Sequence, residues 1–436
     1  MTVMTGKTAV IGLGKSGLST VNFLLKNGVV PDVYDTREHP AGENKLPQGC
    51  RLIKGELSGE LLSGYDELIT GPGLSLALPA LREAASRGTR IIGDIELFAR
   101  YCRAPTVGVT GSNGKSTVVT LTALMAEAQG LNCGLGGNIG TPALDVLAED
   151  RDCYVLELSS FELETTSSLK LAGAVILNLS EDHLDRYEGK MELYLAAKQR
   201  IFAHADKIIV NREDPATVPP DGHYFASFGG DEASYGITVK DGAEWLSCAG
   251  EPVMPVSALK ICGRHNQMNA LAAMALADTL GISREAQIKT LSSFAGLPHR
   301  CRLVRERNGV RWYNDSKATN VGSTLAAVAG LKSGLRGRIV LLAGGLGKGQ
   351  DFTPVKNLLG HEVALMLCFG RDGAMLKALG PETELFDTMA EAVAYADKHT
   401  RPGDIVLLAP ACASFDQFKG FEDRGDQFAA MVESLA

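Results

Sequence analysis

The stretch "APTVGVTGSNGKSTVVTLTALMAEAQG", residues 104–130, constrains the chain more than any other. Six apolar or small residues run into a turn holding Gly111, Gly114, Lys115, Ser116 and Thr117, and a helix-like stretch follows at once. Strand, glycine turn and helix start in that order form a βα unit whose backbone N–H groups and helix dipole converge on an anion. The strict phosphate-loop pattern needs a glycine five residues before the Gly114-Lys115 pair, and Val109 stands there, so the loop is shorter and Gly111 closes it. A tight βα turn with a solvated lysine would look similar, but a lysine followed by two hydroxyls favours a nucleotide phosphate.

The same alternation of strand and helix recurs throughout the 436 residues and predicts an α/β protein with parallel sheets covered by helices. Two breaks divide it. One follows "IIGDIELFARYCR", where a new strand begins after Pro105, and the other is "FAGLPHRCRL" at 294–303. The expected domains are 1–93, 94–298 and 299–436. Apolar residues make up 45% and the formal charge is −8, from 43 basic and 51 acidic residues. An acidic chain argues against nucleic acid or an anionic membrane as partner, so anionic ligands must be held locally by Lys, Arg and backbone amides. Nine cysteines with no C-x-x-C pair read as free buried thiols in a reducing cytoplasm, and no apolar run reaches transmembrane length.

In the first unit, strand "KTAVI" precedes "GLGKSG", a G-x-G-x-x-G turn, and a second strand ends at Asp35. That layout suits a dinucleotide, but its glycines report close approach to a phosphate rather than nicotinamide, and Arg37 sets a cation beside the acid. In the middle unit Glu157 ends the apolar strand "CYVLEL", where a carboxylate can reach Mg²⁺ on nucleotide phosphates. Past the next strand, "LSEDHLDRY" brings Glu181, Asp182, His183 and Asp185 together. Lys198, within "MELYLAAKQRIF", reads from its pattern as an exposed helix lysine. Asn266 and Asn269, at the start of "GRHNQMNALAAMALA", read as N-caps, and Asn138 in "GGNIG" as a turn residue. In the third unit Asp315, Lys317, Lys348 and Ser414 all lie on turns after buried strands, where open α/β sheets bind ligands.

Taken in order, "TGSNGKST", "LELSSFELE", "NLSEDHLDRY", "HNQMNALAA", "GLPHR", "NDSKATN" and "PACASFDQF" resemble the Mur ligase family, and within it the D-glutamate-adding branch. The resemblance covers essentially the whole chain and accounts for the compact loop. It implies three domains: an N-terminal Rossmann-like UDP-binding unit, a central phosphate-loop-type ATPase with a mainly parallel sheet, and a Rossmann-like C-terminal unit.

Its reaction would be ATP-dependent joining of D-glutamate to UDP-N-acetylmuramoyl-L-alanine through an acyl phosphate, with another amino-acid-adding branch as the alternative. It further implies a cytoplasmic monomer that uses ATP and two Mg²⁺ ions. Gly111, Asn113, Gly114, Lys115, Ser116 and Thr117 would cradle the phosphates, and Asn266, Asn269, Arg300 and Asp315 would engage the rest of the nucleotide. Ser116, Glu157, His183 and a carbamate on Lys198 would hold the metal, with Lys115, Glu157, His183 and Lys198 as the catalytic set. Gly14, Lys15, Ser16, Asp35, Thr36, Arg37, the turn Gly71-Pro72-Gly73 and Asn138 would surround the UDP-sugar. Relatives often carry a serine where this chain has Gly71, so a contact there falls to the backbone. Lys317, Thr319, Lys348, Ser414 and Phe421 would take D-glutamate. The C-terminal domain is expected to close over the other two on hinges near Gly93 and Pro298.

Overall fold

A computed structural model describes residues 6–261, 263–332, 335 and 337–435, and all counts refer to these. The apolar strand runs of the sequence pair into three sheets, one per unit. The first is wholly parallel, with the strands lying side by side as Leu52–Lys54, Asp32–Asp35, Thr8–Ile11, Glu67–Thr70 and Arg90–Gly93. The strand order reverses around Thr8–Ile11, and the "GLGKSG" turn leaves the carboxyl end of that strand. This is where a doubly wound sheet opens a crevice.

The second sheet has nine strands. Its parallel part runs from Cys133–Gly137 through Cys153–Glu157, Thr106–Thr110, Gly173–Ile176, Ile208–Asn211 and Ala226–Phe228 to Tyr235–Lys240. An antiparallel meander, Ala243–Cys248 and Glu251–Pro255, completes it. Thr106–Thr110 and Cys153–Glu157 are buried along their whole length, as strands covered on both faces must be. The long helices Lys115–Ala128 and Arg264–Thr279 cover one face and share its core with Val107, Val109 and Val155.

The third sheet runs Arg302–Arg307, Val310–Asn314, Ile405–Leu408, Ile339–Gly344, Val363–Phe369, Thr383–Leu385, and only its first pair is antiparallel. Fold class and the mainly parallel central sheet therefore agree with the sequence reading. The cysteines agree only in part. None of the eight described ones forms a disulfide, but four are half-exposed and only Cys133, Cys153, Cys368 and Cys412 are buried. Cys262 lies outside the described residues.

Leu342, fully buried at the centre of the third sheet, packs in one cluster with Trp312 and Phe428. Leu342→Ala should cost about 2–5 kcal/mol, read as an earlier urea transition in the fluorescence of the buried Trp312.

Candidate functional site

Strand Thr106–Thr110 ends at Gly111, φ +145°, and the turn closes at Gly114, φ +85°, the residue that caps helix Lys115–Ala128. A Cβ on Gly114 would stand 2.4 Å from Asn269 Oδ1, so both backbone angle and space demand glycine there. Among the described residues no side chain caps this helix, which leaves the N–H groups of its first turn facing the cavity. Lys115 Nζ donates to the carbonyls of Gly111 at 2.8 Å and Ser112 at 3.0 Å, and Asn113 N–H donates to Asn178 Oδ1 at 2.9 Å. Thr117 is buried on the same turn and lines the cavity.

Glu157 closes the adjacent strand and is only 3% exposed. Ser116 Oγ donates to its Oε2 at 2.6 Å and Asn138 Nδ2 to its Oε1 at 2.8 Å. Asn138 thus lies in the central cavity, not in the N-terminal crevice. The parallel register sets Gly137 against Glu157, so the next residue lands on its carboxylate. Burial acts to raise the Glu157 pKa, but the Lys115 charge, the Ser116 and Asn138 hydrogen bonds and Arg300 outweigh it and hold the group ionised.

Lys198 corrects its pattern reading. It is 2% exposed, with Nζ donating to Gly111 O at 3.0 Å and standing 4.5 Å over the Tyr194 ring. Burial, then the Lys115 charge, drives its pKa well below that of an ordinary lysine. His183 adopts φ +54°, with Nε2 3.6 Å from Asp182. Burial lowers its pKa more than Asp182 raises it, leaving a neutral ring near pH 7.

The third unit forms the opposite wall. Arg300 donates to Ser116 Oγ at 2.7 Å across the unit boundary, and Asp315 Oδ1 accepts from Cys301 N–H at 3.1 Å. Burial pushes Asp315 up to about 7 and Lys317 down to about 8. Lys317 Nζ lies 3.9 Å over the Phe421 ring, and Lys348 Nζ is 3.5 Å from Asp182. Thr319 and Ser414 line the same wall. Asn269 Nδ2 donates to Asn266 Oδ1 at 3.1 Å, and both residues face the cavity. They are not N-caps, because helix Arg264–Thr279 is capped by the backbone of Gly263. One cavity of about 570 Å³ thus gathers the expected nucleotide, metal and amino-acid residues, with Gly111 and Lys198 behind its wall.

A second cavity, about 420 Å³, holds Gly14, Lys15, Ser16, Asp35, Thr36, Arg37, Gly71, Pro72 and Gly73. Asp35 is clamped by Arg37 Nε at 2.9 Å, Arg37 Nη2 at 2.7 Å and Leu13 N–H at 2.7 Å. Lys15 Nζ donates to the carbonyl of Gly140 in the central unit.

Residues 6–93 match the MurD-like N-terminal domain of Mur ligases, 109–277 the Mur ligase middle domain, and 299–412 the Mur ligase glutamate ligase domain. The UDP-N-acetylmuramoylalanine–D-glutamate ligase of Escherichia coli K12 is 50% identical over 434 residues, 99% of each chain. Its counterpart in Salmonella typhi is 51% identical over 429 residues, 98% of each. The chain belongs to the Mur ligase family. Its fold is also that of the UDP-N-acetylmuramate-alanine ligase MurC of Thermotoga maritima, at TM-score 0.62 and 19% identity over 99% of this chain and 100% of that one.

The structure of this Mur ligase adds contacts that motif reading passed over. Asp182 meets both Lys348 and Asn320, and Asn113 Oδ1 accepts from Ser323 Oγ and Asn320 Nδ2. Asp182 was visible as part of an acid–histidine cluster and Asn320 closes "NDSKATN", but their meeting, and Ser323 as a whole, carried no signal because the contacts run between units. Among the described residues no three His, Cys, Asp or Glu side chains are placed to hold a metal ion alone. A buried carboxylate paired with a hydroxyl nevertheless fits Mg²⁺, which takes few protein oxygens and completes its shell with phosphate and water.

Gly114→Ala should keep the circular dichroism of the wild type yet weaken ATP binding at least about tenfold, since a side chain at positive φ alone costs roughly 1–2 kcal/mol. Calorimetric titration with ATP checks this. Asp35 has its pKa lowered from 3.8 to about 2, with the Arg37 hydrogen bonds as the main cause. A depressed acid stabilises the fold above its unfolded pKa, so this contribution should vanish as pH falls from about 4 to 2. In Arg37→Ala the Asp35 titration seen by NMR should move up toward the ordinary carboxylate range.

Proposed function

We propose that this chain joins D-glutamate to UDP-N-acetylmuramoyl-L-alanine with ATP, giving ADP and phosphate. One observation carries the reading: an anion cradle, the ionised Glu157–Ser116 pair and a wall bearing Lys317 and Lys348 share a single cavity. That cavity can hold a triphosphate, a carboxylate to be activated and an acidic amino acid side by side. The 50% identity to D-glutamate ligases along 99% of the chain supports the choice of amino acid. In this reading residues 1–93 take the UDP-sugar at the Asp35–Arg37 crevice, 94–298 take ATP, and 299–436 take D-glutamate.

The alanyl carboxylate attacks the γ-phosphorus, and ADP leaves. The amine of D-glutamate then attacks the acyl phosphate carbonyl, and phosphate leaves. Phosphoryl transfer depends mostly on positioning and charge neutralisation. Lys115 supplies a cation at the cradle, Arg300 a second one beside Ser116, and the helix N-terminus aligned amides. Lys317 and Lys348 hold the incoming amino acid's carboxylates, while Ser414 and Phe421 shape its pocket. Asn266, Asn269 and Asp315 orient the nucleotide.

Glu157, Ser116 and His183 would hold Mg²⁺. Lys198 favours the neutral amine, the form that can attack CO₂, lose a proton and become a carbamate, a further oxygen donor for a second ion. When bound, Mg²⁺ screens the phosphate oxygens from the approaching carboxylate. Cross-unit contacts such as Arg300–Ser116 fit closure of the third unit, which keeps water from the acyl phosphate. Among the described residues no helix is long and apolar enough to cross a membrane. The same reading sets the reaction in the cytoplasm and expects a monomer.

Phosphate release from ATP, measured with UDP-N-acetylmuramoyl-L-alanine and D-Glu, L-Glu, L-Ala or diaminopimelate in turn, tests this. Turnover should appear with D-Glu alone. Turnover with another amino acid would keep the family and move the substrate, and none with any would remove the reading.

A further inference from the structure

Arg424 lies in the first turn of helix Phe421–Ser434 and is wholly buried. A buried guanidinium normally sits against a carboxylate. Here, among the described residues, no carboxylate forms an ion pair with it. It spends its donors on backbone and hydroxyl oxygens instead: Nε on Ser316 Oγ at 3.0 Å, Nη2 on Ser316 O at 2.8 Å and Cys412 O at 3.0 Å, and Nη1 on Gly344 O at 3.4 Å. Ser316, Gly344 and Cys412 stand at or just beyond the carboxyl ends of three neighbouring strands, Val310–Asn314, Ile339–Gly344 and Ile405–Leu408. The loops that start there carry Lys317, Lys348 and Ser414.

The packing around this turn leaves little freedom. Ser316 Oγ donates to Phe421 O at 2.8 Å and Asn314 Nδ2 to Gly425 O at 2.8 Å. A Cβ on Gly425 would come within 2.2 Å of His299 Nδ1, and one on Gly345 within 3.2 Å of Arg424 Nη1. Burial lowers the Arg424 pKa to about 10, so it stays charged near pH 7; Cys412 and Asp416 act against that shift without an ion pair, and Asp416 Oδ2 accepts from Arg371 N–H at 2.9 Å.

We propose that Arg424 is a positioning residue for the amino-acid pocket. From beneath, its guanidinium ties together the three loops that carry Lys317, Lys348 and Ser414, and its charge, with no carboxylate in contact, favours an amino acid bearing a second carboxylate. The physical reason is that a buried cation with no carboxylate in contact acts through a weakly screening interior, so an anion entering the pocket above it gains more than a neutral one. This inference rests on the assignment of the third unit to an acidic amino acid, but its mechanical half stands apart from that assignment.

The test uses the full-length chain as wild type, Arg424→Met, Arg424→Lys and Ser316→Ala. Amide hydrogen exchange without substrates reads the clamp. Segments 315–320, 344–349 and 411–415 should exchange at least about tenfold faster in Arg424→Met and more mildly so in Ser316→Ala. Steady-state kinetics read the charge. In Arg424→Met the KM for D-Glu should rise at least about tenfold with KM for ATP within about twofold, and the preference for D-Glu over D-Gln should shrink. Arg424→Lys should recover that preference while the loops stay loose. Unchanged exchange in the three segments, or an equal rise in both KM values, would overturn the proposal. If Arg424→Met does not fold, Arg424→Gln takes its place in both readouts, and Ser316→Ala still judges the clamp. A wild type that takes no acidic amino acid would sink the function proposed above, and the exchange data would still judge the clamp.

Discussion

A single buried carboxylate organises the centre of this protein. Glu157 would be costly to bury ionised, and its cost is met by groups from widely separated parts of the chain. Ser116 comes from the cradle helix, Asn138 from the end of the neighbouring strand, and Lys115 and Arg300 lend their charges. Each of these contacts fixes a backbone segment as well as a charge. The cradle, the adjoining strand end and the entry to the third unit are therefore held in one geometry by the need to keep one acid ionised out of water.

The same economy shapes the boundary between the central and third units. Arg300 reaches Ser116, Lys348 and Asn320 reach Asp182, and Ser323 reaches Asn113. Every one of these pairs joins a residue of the cradle, or the acid beside His183, to a residue on the third unit's side of the cavity. Chemistry that must exclude water gains from such an arrangement, because the groups that bind the substrates also bring the two units together.

How much was legible beforehand depended on how locally each residue's partners lie. "GSNGKST" needs only its own strand and helix to make sense, so the cradle could be read directly. Glu157 announced itself as an acid closing an apolar strand. Lys198 did not, because a helix lysine is exposed by default and only the fold shows Tyr194 and Gly111 enclosing it. Only the family resemblance, not its own pattern, sets it apart from other helix lysines. That Asn138 meets Glu157 follows from strand register, which a turn motif does not show. Arg424 carried no signal at all, since its partners lie 12, 80 and 108 residues away.

By itself, then, the sequence determined three α/β units, the parallel sheets and the phosphate turn. These follow from apolar periodicity, turn chemistry and the handedness of βα connections, all of which act over a few residues. Only the tertiary structure decided which strand ends face a common cavity and which polar side chains are buried there. It also decided which charges must therefore be shared or shifted. Burial and long-range electrostatics depend on what surrounds a group in space, and no local pattern encodes that environment.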